Sequence, residues 1–138
     1  MNTTSQIGSL GEVKVAARLI ELGWEVYTPL TINSTIDLIG YKESTILRFF
    51  VRGTQKCIKE KYVISLKSVY ANKTQTIIKP FQSLHYNYVA AYLQPIDIVC
   101  FISILKLSGV HQLILRDEVN KFSNKGSNVF LIDDCSEL

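Results

Sequence analysis

Two acidic residues stand where acidic residues are costly. Glu12 shares the stripe Gly8, Glu12, Ala16, Leu19 of a predicted N-terminal helix, and every other member is small or apolar. A carboxylate facing a packed surface must be paired or hold a metal. The plainer alternative is an acidic residue near a helix N-terminus, favoured by the helix dipole. Asp37 lies inside the apolar run Ile36-Asp37-Leu38-Ile39, where strands rarely carry Asp. The plainer alternative there is an edge-strand aspartate or a cap after Ser34-Thr35. If Tyr41 and Ile46 close a turn over Lys42-Glu43-Ser44-Thr45, Asp37 lies opposite Phe50. Arg52 then follows on the same face, since strand side chains alternate. Two carboxylates with a cation beside them can hold a divalent metal and stabilise developing negative charge.

These residues need a scaffold. The spacing of Ile7, Leu10, Val13, Ala17 and Ile20 predicts a helix over 5–22, capped by Thr4 or Ser5 and stopped at Gly23. Gly8 and Gly11 would let its backbone approach another element closely. Strands are predicted over 24–30, 36–41, 46–52, 62–69, 88–93, 98–105 and 111–116, with a short helix over 81–86. The segments 53–61 and 70–79 read as polar loops. The order is one helix and then mostly strands, an α/β or α+β fold around one sheet. No repeat or linker divides the chain, so residues 1–138 are expected to form one domain, with 120–138 an irregular tail.

Composition narrows the class. With 138 residues, 47% hydrophobic and 20% charged, the chain can bury a core and is not intrinsically disordered. The longest nearly unbroken apolar run, 98–105, is far short of the roughly 20 residues that span a bilayer. Met1-Asn2-Thr3-Thr4-Ser5 lacks the charge and apolar run of a secretory signal. Cys57, Cys100 and Cys135 are odd in number and widely spaced, so neither a disulfide framework nor a zinc site is expected, and a reducing cytoplasm fits best. His85 and His111 read as ordinary surface or core residues. The net charge of +3 permits a polyanionic partner without requiring one. Nothing resembles a Ser/His/Asp or Cys/His arrangement, and the glycines near Gly8 follow no strand, unlike a nucleotide-binding fingerprint.

Gly8-Ser9-Leu10-Gly11-Glu12 opening a helix, Gly23-Trp24-Glu25-Val26 entering a strand, and Ile36-Asp37-Leu38-Ile39 together resemble the PD-(D/E)XK nucleases, in the branch of small bacterial group I intron homing endonucleases. The resemblance continues through 62–66, 88–92 and Leu107-Ser108-Gly109, to about Val119. It implies a restriction-endonuclease-like core, a central mixed sheet flanked by helices. It also implies that Glu12 and Asp37 bind Mg²⁺ or Mn²⁺. In such enzymes the next strand supplies Glu or Gln, any residue, then Lys. Phe50-Val51-Arg52 occupies that place, and Phe50 cannot bind metal, while Arg52 keeps the charge but cannot give up a proton. In a second register Ser65-Leu66-Lys67 supplies the cation as Lys67, if the strands are ordered as in the sequence.

The implied activity is metal-dependent, site-specific hydrolysis of double-stranded DNA, with two or more chains, up to a homotetramer, for a double-strand cut. The segments 98–105 and 129–132 are candidate interfaces or core. Under this resemblance Lys56, Lys59 and Lys61 form one DNA-binding loop. Lys73 and Lys79 flank another, with Asn72, Thr74, Gln75 and Thr76 as base-edge readers. Tyr86, Tyr88 and Tyr92 are expected in the sheet and core. The competing readings are a resolvase or restriction-type nuclease, and a DNA-binding protein that kept the fold and lost the activity.

Overall fold

The computed structural model describes residues 3–71, 74, 76–79, 81–107, 111–117 and 128–138. Helix α1 spans Thr4–Glu21. Its cap is Thr3, one residue earlier than expected, because only Thr3 places Gln6 three residues on. The Gln6 N–H donates to Thr3 Oγ1 at 3.2 Å, and the Thr3 N–H donates to Gln6 Oε1 at 2.8 Å, a reciprocal capping box. Gly23, at φ 90°, ends the helix in a conformation that favours glycine.

The helix buries Ile7, Gly11, Val15 and Leu19. This corrects the predicted stripe, since Val13 and Ile20 remain 65% and 62% exposed. The helix instead lies close against Gly53, where an added Cβ would lie 2.7 Å from the Ile7 carbonyl oxygen. Gly8 makes no such approach: an added Cβ there would meet nothing within 4 Å.

Five strands form the central sheet: β1 (Glu25–Tyr27), β2 (Leu38–Lys42), β3 (Thr45–Thr54), β7 (Tyr88–Leu93) and β8 (Ile98–Ser103), in the order β1-β2-β3-β7-β8. The β3–β7 pair is parallel and the others are antiparallel. The sheet is therefore mixed, as expected. Strands β4 (Lys61–Ser65), β9 (Gln112–Arg116) and β10 (Val129–Leu131) form a second sheet, ordered β10-β9-β4. Strands β5 (Ser68–Ala71) and β6 (Thr76–Lys79) pair as a hairpin where a loop was expected.

Alternation in β3 divides the core. Phe49 and Val51 face α1 with Ala90, Tyr92 and Phe101. Phe50 faces the opposite way and packs with Val89, Leu93, Tyr62, Ile64, Leu113 and Leu115. One long helix thus covers one face, and the second sheet packs on the other. Burial on both faces explains why β7 and β8 read as continuous apolar runs.

Several further boundaries shift. The predicted strand 62–69 breaks after Ser65, because β4 and β5 join different sheets. The strand 98–105 gives way to a 3₁₀ turn at Ile104–Lys106. The predicted irregular tail is corrected over 128–138. There β10 runs parallel to β9, and Ile132 and Cys135 enter the core. Their apolar side chains gain more from burial than a solvated tail would allow. No helix among the described residues is long and apolar enough to cross a membrane.

Candidate active site

The β2–β3 hairpin sets the site. Its turn is the two-residue Glu43-Ser44, with φ 48° and 67°, tighter than the four-residue loop expected. Lys42 pairs with Thr45 and Tyr41 with Ile46. Extending that register places Asp37 opposite Phe50, and the Asp37 N–H donates to the Phe49 carbonyl at 3.2 Å. The Val51 N–H donates to Asp37 Oδ2 at 2.8 Å. The Val51 carbonyl accepts from Arg52 Nη1 at 3.1 Å. The peptide groups flanking Val51 therefore hold the acid on one side and the cation on the other. This backbone role had no sequence signal, because any residue type supplies it.

Glu12 reaches the same cluster from α1. It keeps solvent access, yet its pKa is raised, first by burial and then by the Asp37 charge, with Arg52 opposing. The Asp37 pKa is also raised by burial, opposed by the Val51 N–H bond and by Arg52. Arg52 is the cation felt by both carboxylates. Two crowded carboxylates with raised pKa values gain from a divalent cation between them. Mg²⁺ commonly accepts one or two carboxylates while keeping several waters, so the donor set fits that metal. No group of three or more His, Cys, Asp or Glu that could hold a metal occurs among the described residues.

Phe50 is buried away from any ligand role. Its ring meets Phe81 at 4.9 Å and Tyr86 at 5.0 Å, both edge to face. The Tyr86 hydroxyl in turn donates to the Thr35 carbonyl at 2.7 Å, tying this aromatic cluster to the segment just before Asp37. Tyr92 is buried in the core as expected, and Tyr88 is half-buried.

The expected link of Lys67 to Asp37 through strands in sequence order does not hold. The strands are not ordered as in the sequence, because β4 lies in the second sheet. Long-range burial of Tyr62 and Ile64 against Leu113 and Leu115 decides that pairing. Lys67 is exposed, just past β4, and shares a cavity of about 550 Å³ with Arg52. The cavity also brings together Thr4, Gly8, Thr54 and Ser65, a grouping the sequence reading did not contain.

Lys56 and Lys59 are exposed and Lys61 is half-buried. A tight turn at Lys59-Glu60, φ 50° and 63°, holds this loop, with Ile58 and Lys61 exchanging backbone hydrogen bonds of 3.0 Å. Thr74 is exposed and Lys79 ends β6. Asn72, Lys73 and Gln75 lie outside the described residues. His85 and His111 are both exposed.

A model of the PD-(D/E)XK endonuclease family matches residues 1–125. Among solved structures, a bacterial homing endonuclease, I-Ssp6803I, aligns with a TM-score of 0.72 at 19% identity, over 91% of this chain and 85% of that one. At that identity the likeness establishes the fold, which is restriction-endonuclease-like. No curated protein matches this chain.

Proposed function

This chain belongs to the PD-(D/E)XK endonuclease family, and on that premise we propose that it is a metal-dependent, site-specific endonuclease of double-stranded DNA, of the homing type. The observation that carries the reading is the gathering of Glu12 from α1, Asp37 from just before β2 and Arg52 from β3: the peptide groups flanking Val51 hold Asp37 and Arg52, and the charges of both act on Glu12. Glu12 and Asp37 would hold Mg²⁺ or Mn²⁺. When bound, such an ion polarises the phosphoryl group and lowers the pKa of an attacking water.

The protein's own residues supply the rest. The Val51 N–H fixes one Asp37 oxygen, so the carboxylate presents its remaining lone pairs in one orientation. Arg52 remains charged at every working pH. Its guanidinium can therefore stabilise the negative charge that builds on a phosphodiester during attack, and we assign it as the site cation. Lys67 would contact phosphate instead. Lys56, Lys59 and Lys61 would bind the duplex backbone, and the segment around Asn72, Lys73, Thr74, Gln75 and Lys79 would read bases. The described residues of one chain hold one such site, so a double-strand cut would require at least two chains, as a dimer or tetramer. A cytoplasmic location suits such a protein.

One observation favours a second reading. Phe50 stands where the family supplies Glu or Gln, and its ring is committed to an aromatic cluster. A binding protein that has lost cleavage would tolerate this. The deciding experiment incubates plasmids carrying candidate targets with the protein in Mg²⁺ and in Mn²⁺, with binding measured in parallel. Metal-dependent double-strand cuts support the enzyme; sequence-specific binding without a cut in either metal supports the second reading.

A further inference from the structure

Gly8 has no structural reason to be glycine. It lies inside α1, in helical conformation, and an added Cβ would meet nothing within 4 Å. Glycine in a helix interior is destabilising relative to alanine. Gly53 is the opposite case, since an added Cβ there would lie 2.7 Å from the Ile7 carbonyl oxygen. The open space over Gly8 is the cavity of about 550 Å³ between α1, the end of β3 and the end of β4.

That cavity has the chemistry of an anion site. Arg52 lines it from the central sheet and Lys67 from just beyond the second sheet. Hydroxyl residues Thr4, Thr54 and Ser65 also line it, and no carboxylate does among the described residues. Thr4 opens α1, so the positive end of the helix dipole is added to the two cations. Arg52 belongs both to this cavity and to the group around Glu12 and Asp37. An anion held here would therefore be continuous with whatever Glu12 and Asp37 act upon.

We propose that this cleft seats the DNA phosphodiester adjoining the one to be cut. Lys67 binds that phosphate, and Gly8 forms the open wall past which the sugar–phosphate backbone runs. The assignment rests on the nuclease reading and adds to it a place for the neighbouring phosphate and two residues that form that place. It also accounts for a helical glycine that packing does not require.

The test measures affinity for a mixed-sequence DNA duplex by fluorescence anisotropy across a salt series, with cleavage in Mn²⁺ followed separately. Lys67→Met should lower affinity about tenfold near 0.1 M salt and reduce the slope of log affinity against log salt by about one. Gly8→Leu, which fills the cleft, should weaken binding at least as much. Gly8→Ala should raise the melting temperature and leave most of the affinity. Because Lys67 is exposed, its variant folds whatever the leucine variant does. An unchanged affinity and slope in Lys67→Met overturns the cleft, and if the parent still cuts DNA the nuclease reading stands without it. A parent protein that binds no duplex at any salt overturns both.

Discussion

The Arg52 guanidinium carbon lies 4.0 Å from the centre of the Phe50 ring. The first and third residues of Phe50-Val51-Arg52 thus form one stacked unit. Phe50 offers no ligand, but its neighbours Phe81 and Tyr86 fix the ring. The ring then orients the cation. Such a cation–π interaction contributes roughly 0.5–2 kcal/mol, more as water is excluded. The aromatic residue thereby supports the charge of Arg52 and, under the proposed function, leaves metal binding to Glu12 and Asp37.

Phe50→Ala should accordingly destabilise the fold by about 3–5 kcal/mol, the usual cost of removing a buried Phe. It should also loosen Arg52. Chemical denaturation measures the first effect. A loss below about 1 kcal/mol would mean that the aromatic cluster is not a supporting core. The double variant Phe50→Gln with Arg52→Lys restores the family pattern. If the parent binds without cutting, this variant should recover cleavage at some cost in stability; no recovery would favour a binding-only protein.

Asp37→Asn should reduce cleavage at least a hundredfold, the scale expected when several kcal/mol of metal-derived stabilisation is lost. Folding should improve near neutral pH. The native pKa of Asp37 is raised above its ordinary 3.8, so folding favours the protonated acid. That stability is full below the ordinary value and is lost as pH rises through the native one. Replacing the acid removes the loss, so the gain in melting temperature should grow from about pH 4 upward. A melting temperature that tracks the parent at every pH would contradict the burial of this carboxylate.

Metal binding should follow the same groups in the opposite direction. Glu12 and Asp37 must lose their protons to bind a cation, and both pKa values are raised. The rise in melting temperature produced by Mn²⁺ should therefore be largest at neutral pH and fade on acidification. It should vanish in the Glu12→Gln, Asp37→Asn double variant. Persistence of the full shift in that variant would place the ion elsewhere.

The two cations should separate by kinetics. Arg52→Met should remove cleavage at saturating protein while leaving a large share of DNA affinity. Lys67→Met should weaken binding but still cut once bound. Single-turnover cleavage alongside equilibrium binding distinguishes them. The reverse pattern would make Lys67 the site cation.

Replacing Lys56, Lys59 and Lys61 together with alanine should flatten the salt dependence of DNA binding by about 0.9 in slope for each DNA phosphate these lysines neutralise. The turn at Lys59-Glu60 presents this loop as a defined hairpin, so the variant should change charge and not fold. An unchanged slope would show that this loop does not touch DNA.

The sequence by itself determined what is local. The Tyr41–Ile46 pairing, and with it the placing of Asp37 opposite Phe50, follows from a short turn and the two-residue period of strands. The helix and most strands of the central sheet were legible for the same reason. Tertiary structure alone decided the rest. Ile7, Leu10, Val13, Ala17 and Ile20 make a plausible buried stripe, but the helix packs with its Ile7 turn close over Gly53 and buries Val15 and Leu19 instead of Val13 and Ile20. Lys67 was tied to Asp37 only by assuming sequence order, and the pairing of β4 with β9 moved it to the far wall of a cleft. Val129–Leu131 joined β9 as a parallel strand. Each of these outcomes depends on burial between segments distant along the chain, whereas alternation and turn sterics act between neighbours.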